Sequence, residues 1–191
     1  METARYLGYK KSNPPDDNIK ALIEKAAIEM HNIIKPQGVY QQFPLTVCRE
    51  ELKLKFADTE IISSDLLNNM GNCSSVVMLA ATIGPQTDAY IRKAQNSDPV
   101  YASICQATGA MYIEETVDIL NDNIRKQALT QGLATRPRYS PGYGDVPLTV
   151  QKEFFRLLNC SRIGLTLMDT LIMAPEKSVT AFIGCTPKSC N

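Results

Sequence analysis

Apolar residues recur along this chain at two spacings, and each spacing predicts a different kind of element. Ile19, Leu22, Ile23, Ala26, Met30, Ile33 and Ile34 fall on one face of a helix, behind Asp16 or Asp17 as cap and ahead of the stop Lys35-Pro36-Gln37-Gly38. Residues 40–47 and 52–56 alternate as short strands, and Ser63-Ser64-Asp65 opens a short helix through Met70. Residues 76–83 are almost unbroken apolar sequence ending at Gly84-Pro85, the pattern of a strand covered on both faces. Two helices follow, over about 86–96 and 99–129, the second with Asp98 as cap and Pro99 in its first turn. Phe154, Phe155, Leu157 and Leu158 make a helix of residues 148–159. Residues 162–174 then alternate as a strand, Pro175-Glu176-Lys177-Ser178 turns the chain, and residues 179–183 return as its antiparallel partner. Together these elements predict an α+β domain, an antiparallel β-sheet with helices packed on one side or at its ends.

Composition narrows the function classes. The 191 residues suit a single domain over 1–191: an N-terminal strand/helix segment over 1–38, a core over 39–184 and a short tail over 185–191. Twenty basic residues balance twenty acidic ones, so no global field draws nucleic acid or an anionic membrane. Met1-Glu2-Thr3-Ala4-Arg5 carries no apolar signal core, and no run approaches the roughly 20 apolar residues of a membrane span. A cytoplasmic protein is expected. Six cysteines are too dispersed for a disulfide framework and read as reduced thiols. Cys185 and Cys190 supply only half the ligands of a structural zinc site, so no metal is expected. His31, the one histidine, stands at a surface or boundary position of its helix, with no G-x-S-x-G nucleophile motif to make it a hydrolase base. Neither G-x-G-x-x-G nor G-x-x-x-x-G-K-[ST] occurs, so the usual dinucleotide and triphosphate cradles are missing.

The chemistry gathers in Arg136-Pro137-Arg138-Tyr139-Ser140-Pro141-Gly142-Tyr143-Gly144-Asp145-Val146-Pro147. Proline fixes φ and removes donors, while Gly142 and Gly144 permit conformations that a Cβ would block. The arginines offer forked donors for a carboxylate or phosphate, and the tyrosines offer π faces for a cation or a flat base. A rigid structural turn with solvated arginines would read the same way. In the long helix ahead of the loop, Ile113, Val117, Leu120 and Ile124 form the apolar seam and Glu114 stands at its edge. Ala107 and Ala110 leave space beside that carboxylate. Glu114 either holds a cation there or turns to solvent as a boundary glutamate.

At these residues the sequence resembles the activation (reactivation) domain of cobalamin-dependent methionine synthase, and more closely its short stand-alone versions. Arg138-Tyr139-Ser140-Pro141-Gly142-Tyr143 is similar to the family's Arg-x-x-Pro-Gly-Tyr signature; Pro147, Met173-Ala174-Pro175 with Ser178-Val179, and Ala81-Thr82-Ile83-Gly84 add to the likeness. The resemblance implies S-adenosylmethionine binding. It also implies an accessory role rather than a complete enzyme: the donor is presented to a cobalamin in its inactive cob(II)alamin state, held by a separate methionine synthase chain. An electron from flavodoxin or a similar reductase completes the reactivation. Carried over residue by residue, Arg138 would grip the methionine carboxylate, Glu114 would meet the ammonium, and Tyr143 would face the sulfonium, an attraction of about 0.5 to 2 kcal/mol. Tyr139, Ser140, Pro141 and Gly142 complete the implied site, with backbone groups around Pro141-Gly142 against the adenosine. Gly144-Asp145-Val146-Pro147 departs from the long enzymes and matches the stand-alone versions, so no contacts carry over for that half of the loop. No acidic residue precedes the signature arginine within 132–135, and a later tyrosine-containing segment of the long enzymes is expected to be missing. No Asp-x-His-x-x-Gly cobalamin motif runs through His31. The alternative is a module that docks on a corrinoid protein without binding S-adenosylmethionine.

Overall fold

The computed structural model describes residues 2–188. In chain order the helices are α1 (Glu2–Tyr6), α2 (Asp17–His31), α3 (Ser64–Met70), α4 (Pro85–Ser97), α5 (Pro99–Thr130) and α6 (Gln151–Leu157). The strands are β1 (Gln37–Pro44), β2 (Thr46–Cys48), β3 (Lys53–Phe56), β4 (Thr59–Ile62), β5 (Ser75–Thr82), β6 (Leu133–Thr135), β7 (Thr166–Leu167), β8 (Met173–Ala174) and β9 (Ser178–Pro187). The architecture is α+β with antiparallel pairing throughout the sheets. The caps sit where the sequence puts them. The Asp16 side chain accepts from Ile19 N–H, the Ser63 hydroxyl from Leu66 N–H, and Asp98 from the N–H groups of Val100 and Tyr101.

The central sheet runs β1-β5-β9-β6, and every residue of β5 is buried. Its two faces meet different layers. Val77, Leu79, Ala81 and Ile83 turn to the Ile113-Val117-Ile124 seam of α5, joined by Ala181, Ile183 and Cys185 of β9. Val76, Met78, Ala80 and Phe182 turn the other way, to Leu66 and Met70 of α3, Phe154 of α6, and Leu54, Phe56 and Ile61 of the small β2-β3-β4 sheet. The sheet is therefore covered on both sides, as the unbroken apolar run of β5 predicts. Phe182, fully buried between the rings of Phe56 at 5.6 Å and Phe154 at 4.6 Å, contributes about 1.5–3 kcal/mol by burial.

Several expectations need correction. Residues 162–174 are not one strand. A 3-10 turn at Cys160–Ile163 sends Ile163 and Leu165 into the core, and only Thr166–Leu167 and Met173–Ala174 pair, with each other. Nor does β9 pair back across Pro175. It lies between β5 and β6, because residues buried on both faces require hydrogen-bonded neighbours on both edges. The N-terminal 1–38 segment has two helices in place of a strand and a helix, until β1 begins at Gln37. The 185–191 tail begins later than expected, since β9 continues through Pro187 and Cys185 is buried within it; Cys190 lies outside the described residues. The predicted strand over 40–47 divides at Leu45, whose N–H still bonds Ser74 O in register with β5, while Thr46–Cys48 pair with β3. Strands β4 and β6 were not apparent in the sequence pattern.

Candidate functional site

The loop that carries the signature leaves β6 and runs along the outer edge of β9. Arg136 N–H donates to Gly184 O at 2.8 Å, and Tyr139 exchanges both backbone bonds with Phe182, at 2.9 and 2.8 Å. The buried ring of Phe182 thus fixes the height at which the loop crosses the edge. Gly142 N–H bonds Val146 O, Tyr143 N–H bonds Ser140 O, and Val146 N–H bonds Tyr143 O, folding the loop on itself with Pro141 buried. Both glycines have positive φ, +88° at Gly142 and +52° at Gly144. At Gly144 a Cβ would also overlap the Asp65 carboxylate and the Tyr139 hydroxyl.

One side of the loop is tied to α3. The Asp145 carboxylate accepts from the hydroxyls of Ser63 and Ser64 and from the backbone N–H groups of Ser64 and Asp65, the start of α3. These hydrogen bonds, led by those from the two serine hydroxyls, hold its carboxyl down at about 2. Asp65 in turn accepts from Asp145 N–H at 3.2 Å and from the Tyr139 hydroxyl at 3.4 Å. Tyr139 packs on the Phe182 side of the sheet, and burial followed by the neighbouring Asp65 and Asp145 charges raises its phenol.

The other side of the loop faces α5. Arg138 Nη2 lies 3.1 Å from Glu114 Oε2 and 3.1 Å from Asp118 Oδ1. Glu114 and Asp118 are one helical turn apart, so both reach the same nitrogen. Arg138 Nη1 is buried and meets no acceptor among the described residues. A buried guanidinium N–H without a partner costs about 1–3 kcal/mol or more, a cost that an acceptor reaching it would relieve. Beside the pair, a groove of ≈ 580 Å³ runs between α1 and α5, with Glu114, Glu115, Asp118, Asp122 and Glu2 in its lining against Arg5 alone. Met111 supplies apolar floor there, and the Arg5 guanidinium stacks 4.6 Å from the centre of the Tyr6 ring.

Of the seven residues singled out in the sequence, Arg138 and Glu114 meet directly. Ser140, Pro141 and Gly142 shape the turn behind them, and Tyr143 stands at the tip with 70% of its surface exposed. Tyr139 turns to the opposite face of the sheet from Arg138 and acts as a strut. The N–H groups of Gly142 and Tyr143 are engaged within the loop, leaving carbonyl oxygens as what that stretch offers to a ligand. Asp118 and the α1 wall were missed. The i,i+4 spacing of Asp118 from Glu114 could have found the first; nothing in the sequence brings α1 to α5. His31 is exposed, with its ring 6.3 Å from that of Tyr112. Burial pushes the thiols of Cys73, Cys105 and Cys160 up to about 11, leaving them weakly reactive. No described helix is long and apolar enough to cross a membrane.

No curated protein matches the chain. Among solved structures, the crystal structure of the MetH reactivation domain bound to AdoHcy superposes with a TM-score of 0.69 at 16% identity, covering 98% of this chain and 70% of that one. That likeness establishes the fold. The family model for the vitamin B12 dependent methionine synthase activation domain matches residues 20–191, and on that match the chain belongs to this family.

Proposed function

We propose that the protein binds S-adenosylmethionine with its amino-acid end at Arg138 and presents the methyl group to a cobalamin held by a separate methionine synthase chain. The observation that carries this reading is the buried, unpartnered Nη1 of Arg138 beside two carboxylates, a donor and acceptors arranged for an α-amino acid zwitterion. Family membership and the AdoHcy bound to the related reactivation domain support the same ligand. Arg138 holds the carboxylate through its fork, and Glu114 accepts from the ammonium. Tyr143, exposed at the loop tip, turns its π face to the sulfonium. Carbonyl oxygens of the Pro141-Gly142 turn accept from the adenosine. A cobalamin held by the partner, reduced by one electron from flavodoxin or a similar reductase, would supply the nucleophile for the methyl group that this chain positions. This chain's contribution is to bind and orient, which is what proximity demands of an accessory subunit.

Calorimetric titration with S-adenosylmethionine, with and without the cobalamin domain of the partner enzyme, tests the reading. Binding in either setting should fall about 100-fold in Arg138→Ala, the loss of a charge-assisted bidentate contact. Binding that survives unchanged would refute the site. The absence of binding in both settings by a folded protein would leave a module that docks without a ligand.

A further inference from the structure

Arg138 is outnumbered: one guanidinium faces two carboxylates, and in the adjoining groove Glu2 pairs with Arg5 and Asp122 with Arg125, so neither arginine neutralises the second acid on Arg138. An ion pair built only to pin the loop would need one acid. The second, Asp118, uses Oδ1 on Arg138 and keeps 69% of its side-chain surface open. We infer that Asp118 is a specificity-determining residue that makes the site prefer the sulfonium donor over its demethylated product. This inference rests on the proposed binding of S-adenosylmethionine at Arg138.

The physical reason is charge balance. The Arg138-Glu114-Asp118 cluster carries a single net negative charge. The donor brings a sulfonium and an ammonium against one carboxylate and is a net cation. When the methyl group leaves, the sulfur keeps the bonding electron pair and becomes a neutral thioether, so the product S-adenosylhomocysteine is a net-neutral zwitterion. Arg138 and Glu114 satisfy the amino-acid end of both molecules equally. The surplus carboxylate acts on their difference alone. In a half-open site, one unit charge at several ångströms changes affinity by about three- to tenfold, and salt weakens it. A donor held by this term is released once its charge is gone, which favours turnover over product trapping.

The test measures dissociation constants of S-adenosylmethionine and S-adenosylhomocysteine by calorimetry for the full chain, its Asp118→Asn variant and its Asp118→Glu variant, with the partner's cobalamin domain present if binding requires it. Asp118→Asn is expected to weaken the donor about three- to tenfold while leaving the product unchanged, with Asp118→Glu restoring the preference. The wild-type preference should also shrink as salt is raised from low ionic strength. Equal weakening of both ligands in Asp118→Asn would overturn the inference, because it would mean that Asp118 only positions Arg138. Wild-type protein that binds neither ligand, alone or with the partner, would overturn the proposed function along with it.

Discussion

Asp145 and Arg138 anchor the same loop from opposite sides, and they do it under opposite conditions. Asp145 has both carboxylate oxygens engaged, by two hydroxyls and two backbone N–H groups at the start of α3. Arg138 places one nitrogen between two acids and leaves the other buried with no described acceptor. A saturated polar cluster holds a conformation and has nothing left to offer a ligand. An unsaturated one is costly in the empty protein and gains when an acceptor arrives. The α3 side therefore reads as the support of the loop, and the α5 side as the place where the proposed ligand would bind.

Three perturbations sharpen that contrast. The largest effect is expected for Gly144→Ala. A Cβ there would overlap the Asp65 carboxylate and the Tyr139 hydroxyl, at a φ of +52°, so the α3 anchor and the strut must both shift. Destabilisation of about 1–3 kcal/mol, read by denaturant unfolding, is expected together with weaker donor binding. An unchanged midpoint would show that the anchor does not hold the loop.

A smaller effect is expected for Asp145→Asn, which keeps the shape and removes the charge. Its thermal midpoint at neutral pH should fall by a few degrees. The folded carboxyl at about 2 lies below its ordinary value of 3.8, so its contribution is fully present above the ordinary value and is lost as pH falls through about 2. Thermal melts between pH 5 and pH 2 should accordingly show the wild type losing its advantage over Asp145→Asn across roughly pH 4 to 2. Curves that stay parallel would contradict the assigned role.

The smallest stability effect belongs to Tyr143→Ala. With its ring largely in solvent, unfolding free energy should stay within about 0.5 kcal/mol of wild type. Donor affinity should nevertheless drop by about two- to thirtyfold, the range of a cation–π contact. A variant that loses stability and keeps affinity would place Tyr143 with the support instead of the ligand.

Much of this was legible in the residues because the signals are local. Caps at Asp16, Ser63 and Asp98, the helical seam of α5 and the unbroken apolar run of β5 each depend on spacing over a few residues, and the helices and β5 appear at those positions. The family resemblance put Arg138 and Glu114 at the two ends of one amino-acid group; their direct ion pair appears only in the structure. Spacing alone left open whether Glu114 meets a cation or turns to solvent; it bonds Arg138 while 43% of its side-chain surface stays exposed.

What the sequence by itself determined is the set of elements with a strong period, the α+β class and the loop in which arginine, proline, glycine and tyrosine converge. Tertiary structure decided the rest. Residues 162–174 alternate like a strand, yet Ile163 and Leu165 are drawn into the core and leave only two short pairings. The partners of β9, the saturation of Asp145 by residues about 80 positions earlier, and the α1 wall of the acidic groove all depend on contacts between distant segments. Periodicity says which face of a segment is apolar. It does not say which other face it meets, because that choice is made by the packing of the whole chain at once.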